Sequence, residues 1–379
     1  MSIKTLVIVL CETRAHELTF DNFKKNVIDE LNADLCLCIG VKDDYDYNNP
    51  FYKLAKYKFT YNEPEFYDDS LEVAYNNLTK SRPKYECLNN TNNINNDLQY
   101  PKQYIDDINN IDLIINHDNN VDNDNEYIVV KNENTIYTKK NNVSINNNYN
   151  NYIADNNVDT YKKHLHWKEF VNIESYLFGG IKNSLGSCGL ILFYRWFLLQ
   201  KLNENNLINL YDRFIITRSD YIYELPHPKM EILDEKYIWI PNGEDYGGFT
   251  DRHVILSKNN IEVLLNIFNN MVLESNKFFI FLKKEAEKNP DYNNIYNVEK
   301  LIYYNLKFCN VLHLVKRYPY IMYTVRNIDG TTRWTHGNFD NNLGYYIKYS
   351  NEYNSSQHYK NEFEKSTLLI NDFYIKNIY

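Results

Sequence analysis

The sequence predicts an α/β fold in which helices sandwich a mostly parallel central sheet, with an asparagine-rich insertion. Three observations carry that expectation. Residues 5–11 form an unbroken apolar run, Thr-Leu-Val-Ile-Val-Leu-Cys, of the kind a central parallel strand needs. Apolar residues then recur at three-to-four spacing from Thr19 to Leu31, which predicts a helix capped by Thr19 or Asp21. A second short run, Asp34-Leu-Cys-Leu-Cys-Ile-Gly40, completes a β-α-β unit and hence a right-handed crossover. In open sheets of this kind ligands bind beyond the carboxyl ends of the strands, so Glu12, Thr13 and Arg14 stand at a ligand-binding edge.

Composition changes from about Cys87 to Tyr161, where asparagine dominates and apolar periodicity fades. This stretch reads as an insertion or irregular segment in which Ile111–Ile115 and Tyr127–Val130 retain strand character. The boundaries follow: 1–86 as the nucleotide-binding half of a catalytic domain, 87–161 as the insertion, 162–310 as the second half, and 311–379 as a C-terminal extension.

Order returns at His164, and the glycine-rich stretch Gly179 to Gly189 leads into an apolar helix carrying Arg195 in its middle. A buried arginine asks for an anionic partner, and Ser187 at the helix start caps it or presents backbone N–H groups to a phosphate. The next strand, Tyr211-Asp-Arg-Phe-Ile-Ile-Thr-Arg-Ser-Asp220, delivers an acidic side chain to its carboxyl end. Its period of two places Arg218 and Asp220 on one side, a pairing suited to a nucleotide diphosphate with a divalent cation. Tyr237–Ile240 is a further strand, followed by the loop Pro241–His253 with Glu244, Asp245 and Asp251 around Gly247-Gly248. The two glycines allow close backbone approach. Val254–Lys258 reads as a strand, and Ile261–Phe268 and Val298–Leu306 as helices.

The 379 residues carry a net charge of −9 and no long basic run, so a nucleic-acid backbone is an improbable partner. No apolar stretch has the length of a membrane span or a secretory core, which predicts a soluble protein that is not exported. The six cysteines lack C-x-x-C spacing and several sit inside apolar runs, as expected in a reducing compartment. The 36 tyrosines supply rings for a polar-ligand groove, although the abundance of Asn, Ile, Lys and Tyr is also what an AT-rich genome imposes.

In their order, Phe193-Tyr-Arg195, Tyr211–Asp220 and Gly243–Arg252 resemble the motifs of GT-A-type glycosyltransferases. These include a strand of the form Y-D-x-h-h-h-x-D-x-D. The chain looks especially like the glycosyltransferase-like proteins of giant DNA viruses. The likeness covers roughly residues 3–85 and 165–310. It implies a GT-A-like, Rossmann-like α/β/α sandwich that transfers a sugar from a nucleotide-diphosphate sugar, UDP-linked by default, to a glycan or glycoprotein. It also implies Mn²⁺ or Mg²⁺ at Asp220, and a location in the host cytoplasm or virus factory. Donor contacts fall to Arg14, Arg195, Arg218, Asp220, Gly247 and Gly248. Asp251 is the first choice for the base that deprotonates the acceptor, and Asp245 the second. The chain departs from the pattern at Arg218, which occupies the first acidic position of D-x-D, so metal dependence is less secure. An inactive carbohydrate-binding or structural virion protein is the alternative. His253, His313 and His336 are considered as further metal ligands and set aside as ordinary structural histidines.

Overall fold

The computed structural model describes residues 3–80, 165–171, 187–288, 297–328 and 336–378, together with the backbone of three short strands between 113 and 137. The chain divides into two compact units, Met1–Lys84 with Glu174–Tyr379, and Tyr85–Ile173. The larger begins with β1 (Thr5–Cys11), β2 (Asp34–Val41) and β3 (Tyr57–Asn62). The smaller holds β4 (Leu113–Ile114), β5 (Val129–Asn132) and β6 (Thr135–Tyr137), paired as an antiparallel sheet, and the helix Trp167–Val171. The rest of the Asn-rich segment and the Gly179–Leu185 stretch lie outside the described residues.

The larger unit continues with β7 (Arg213–Thr217), β8 (Tyr221–Tyr223), β9 (Ile238–Pro241), β10 (Val254–Ser257) and β11 (Val315–Tyr318). It ends with β12 (Met322–Arg326), β13 (Asn338–Asp340) and β14 (Tyr345–Ile347). A seven-stranded sheet runs β11-β9-β10-β7-β1-β2-β3. β3, β2, β1 and β7 are parallel, β10 lies antiparallel between β7 and β9, and β11 pairs parallel with β9. The α/β class and the mostly parallel sheet therefore hold.

Alternation along the central strands explains the layers. Val7, Val9, Leu35, Leu37 and Ile39 turn to one face and bury against Phe23, Val27 and Phe51. That face is completed by Phe373 and Tyr374 of the last helix, Ile370–Asn377. The helix Cys188–Glu204 packs on β1 and β2, with the helices Asp68–Lys80 and Ile267–Leu273 against it. It buries residues around most of its circumference, from Leu190 and Ile191 to Trp196 and Leu202, as a helix covered on several sides must.

The first helix differs from expectation. It starts at His16, with Ala15 in the left-handed region at φ 49°, and widens into π-helical turns over Lys24–Asp29. Thr19 is not its cap: its hydroxyl donates to the carbonyls of Ala15 and Ser219, tying the helix to the chain beyond β7.

Two features of this topology make a site. From β1 the chain moves to β2 and β3 on one side, while β7 joins the other flank of β1. Strand order reverses there, and the crevice beyond the ends of β1 and β7 is where such sheets receive ligands. A second, antiparallel sheet, β13-β14-β12-β8, stands beside that crevice. The segment set apart in sequence as an extension thus supplies a strand of the main sheet and most of the small one.

Candidate functional site

The crevice is a cavity of about 400 Å³. Cys11 at the end of β1 with Glu12 and Arg14 beyond it, and the residues following β7 (Arg218, Ser219, Asp220), form its floor. The Asp251 loop, the start of the helix Val298–Phe308, and Lys348 with Tyr349 form its sides. The floor is bolted together through Ser219, whose hydroxyl lies 3.1 Å from the carbonyl oxygens of both Glu12 and Arg14. Cys11 closes β1 with φ 79°, a left-handed conformation rare for a residue with a side chain, and so turns Glu12 and Arg14 into the crevice.

Arg218 and Asp220 emerge together, as their spacing predicts, and pair in a two-pronged fork. Arg218 Nε donates to Asp220 Oδ1 and Nη2 to Oδ2, both at 2.8 Å. Arg326, at the end of β12, donates to the same Oδ2, while Val325 N binds the Asp220 carbonyl at 2.9 Å. Asp220 is 1% exposed. Burial alone would raise its carboxyl, but the Arg218 and Arg326 guanidiniums outweigh burial and hold it well below the usual carboxylate range.

Lys348 follows β14 and overlooks this cluster. Its ammonium lies 5.2 Å above the Tyr349 ring and makes no hydrogen bond or ion pair among the described residues, although the residue is only 8% exposed. Burial first, then the positive charges of Arg326 and Arg218, push it down to about 7. Arg14 completes the basic wall, its Nε held by Glu12.

Across the cavity stand Asp251 and Glu299. Arg195 does not reach the cavity lining. It lies fully buried behind it and donates to the carbonyls of Leu264 at 3.3 Å and Asp251 at 3.5 Å, so its partners are backbone dipoles rather than an anion. Glu299 sits in the first turn of the Val298–Phe308 helix, and burial followed by the Asp251 charge raises it to about 8. Arg252 is sandwiched by tyrosines, 4.1 Å from the Tyr349 ring centre and 5.6 Å from that of Tyr246. Buried Glu352 anchors it at 3.0 Å and also accepts from Tyr320 and from Thr324 N.

Apart from Ser187, the remaining expected residues stand outside the lining. Asp245 braces its own loop, accepting from Thr250 N and pairing with Arg317. Gly247, at φ 83°, faces Lys300, and a Cβ on Gly248 would come within 2.0 Å of the Glu299 carbonyl oxygen. These glycines let the loop close on the helix start; they are not contacts to the cavity. Ser187 borders the cavity but makes no side-chain cap. His253 is buried against Thr217 and kept neutral by its burial, His313 lies on a short 3-10 turn, and His336 packs at a tilt against the Tyr346 ring.

The donor set does not suit a divalent cation. Both oxygens of Asp220 are taken by guanidiniums, Glu12 is held by Arg14, and no group of three His, Cys, Asp or Glu is gathered to hold a metal among the described residues. Searches against protein-family models, curated proteins and solved structures found no match. No helix among the described residues is long and apolar enough to cross a membrane.

Proposed function

We propose that this chain is a GT-A-type glycosyltransferase that moves a sugar from a nucleotide-diphosphate sugar, UDP-linked by default, to a hydroxyl of a glycan or glycoprotein. The observation that carries the reading is the charge lining the switch-point cavity, where Arg14, Arg218 and Lys348 stand about the floor together with Asp251 and Glu299 on its sides. In sugar transfer the bond between the anomeric carbon and the phosphate oxygen breaks, and its electron pair leaves with the nucleotide diphosphate. Arg14, Arg218 and Lys348 are disposed to take up that charge. The acceptor oxygen forms the new bond to the anomeric carbon, and its proton passes to a carboxylate. Asp251 is that base: it lines the cavity, its side chain is 10% exposed, and its nearest cation, Arg252 Nε, lies 3.8 Å away. Asp245 is spent on Arg317 and is not assigned the role. Because the residues do not suit a metal, no step is assigned to one.

The Arg218–Asp220 fork favours a second reading, a glycosyltransferase-like protein that binds carbohydrate without turning it over, since it occupies the acidic position that the resemblance gives to the metal. A panel of UDP-, GDP-, CMP- and dTDP-sugars separates the two. Release of nucleotide, abolished by Asp251→Asn, is expected for the enzyme. Binding of a glycan with no release from any donor, with or without Mn²⁺, would establish the binding protein instead.

A further inference from the structure

We infer that the basic wall neutralises the donor's diphosphate without a divalent cation, and that Lys348 is the residue completing that neutralisation. The inference rests on the nucleotide-sugar reading and assigns charge compensation within the same cavity. Around the floor stand four basic groups, Arg14, Arg218, Arg326 and Lys348, and two carboxylates, Glu12 and Asp220, so with Lys348 protonated 4 − 2 leaves two positive charges uncompensated. A diphosphate ester is a dianion and matches that excess.

The local chemistry argues the same way. An ammonium buried to the extent of Lys348, without an anionic partner and facing three guanidiniums, is costly in the empty protein. An anion in the cavity removes the cost. Arg326 adds its positive charge from behind the lining, where it is held on Asp220. A metal would need carboxylate oxygens that the arginines already occupy. The lowered affinity of Lys348 for its proton supports the argument, since a bound phosphate would restore it.

The test is calorimetric titration of the full chain with UDP and with inorganic pyrophosphate, in EDTA and in excess Mn²⁺. Binding of equal strength in both conditions is expected. Lys348→Met is expected to weaken pyrophosphate binding about tenfold while raising the thermal midpoint of the empty protein, because the variant removes an unpaired buried charge. A residue that serves packing alone would lower both. Arg14→Gln, at a partly exposed position, repeats the affinity test should Lys348→Met fail to fold. Binding that requires Mn²⁺, or variants that bind as tightly as the parent, would overturn the inference. The two readings fail separately. Turnover of a nucleotide sugar strictly dependent on Mn²⁺ sinks the inference and keeps the transferase; metal-free pyrophosphate binding without turnover of any donor does the reverse.

Discussion

The two walls of the cavity handle charge in opposite ways. On the basic wall every carboxylate is matched: Glu12 by Arg14, and Asp220 by Arg218 and Arg326. The unmatched group is a cation, Lys348. On the opposite wall Asp251 and Glu299 share one neighbourhood, and the strain is resolved by Glu299 keeping its proton. On the proposed reading, one wall receives negative charge and the other exchanges protons. A carboxylate would then serve on the first as scaffolding for arginines and on the second as a reagent, so residue type alone does not fix its role.

The largest expected effect separates the walls by function. Asp251→Asn keeps the side-chain shape and removes the base, so turnover is expected to fall by roughly 10²–10⁴ with pyrophosphate affinity unchanged. Rates of nucleotide release and titrations on the same preparation check both halves. Equal loss of affinity and rate would mean that Asp251 belongs to the binding wall.

Next comes the scaffold carboxylate. Asp220→Asn leaves Arg218 and Arg326 buried together without their anion. Breaking a buried pair by removing one partner costs about 3–5 kcal/mol, to be read from denaturant midpoints. The depressed Asp220 carboxyl also predicts an acid limb: its stabilisation is present above the ordinary aspartate value of 3.8 and is lost as pH falls below it.

Glu299 should impose the opposite slope. An unfolded chain gives up this proton near 4.5, whereas the folded protein holds it to about 8. In that window the native state binds more protons, so stability falls as pH rises, by about 1.4 kcal/mol per unit, and the loss ends above the upper value. Glu299→Gln should flatten that window in a series of denaturation curves. If the slope survives, the proton is held elsewhere.

What was legible in the sequence follows from locality. β1, β2 and the Arg218–Asp220 pairing could be read because unbroken apolar runs and a period of two act within a few residues. Asp251 and Arg14 were placed by their position after a strand or beside paired glycines, and both line the cavity. Lys348 and Tyr349 carried no local signal. They lie 128 and 129 residues beyond Asp220 in the chain, in a tyrosine-rich tail, and reach the site because β12 pairs with β8, the strand that immediately follows Asp220. The charge of Arg195 suggests an anion in the sequence, whereas in the fold its two terminal nitrogens donate to the carbonyls of Leu264 and Asp251 behind the lining. No periodicity reports which of these a buried arginine finds.

The smallest expected effect is also the one that shows how the reactive wall is assembled. Gly248 lies against the helix start so closely that an added Cβ would meet the Glu299 carbonyl carbon at 2.2 Å and its oxygen at 2.0 Å. Both neighbours are backbone, held by the bond from Phe249 N to Glu299 O at 3.0 Å, so they cannot swing aside as a side-chain tip would. Gly248→Ala must therefore push the loop away from the helix, at a cost of about 1–3 kcal/mol typical of overpacking. Asp251 sits three residues further along that loop and would move with it, while the floor of the basic wall hangs on Ser219 and β12 and would stay. Turnover is expected to fall with pyrophosphate affinity preserved. A parallel loss of both would mean that the walls move as one body, and that the division of labour between them is a matter of charge alone.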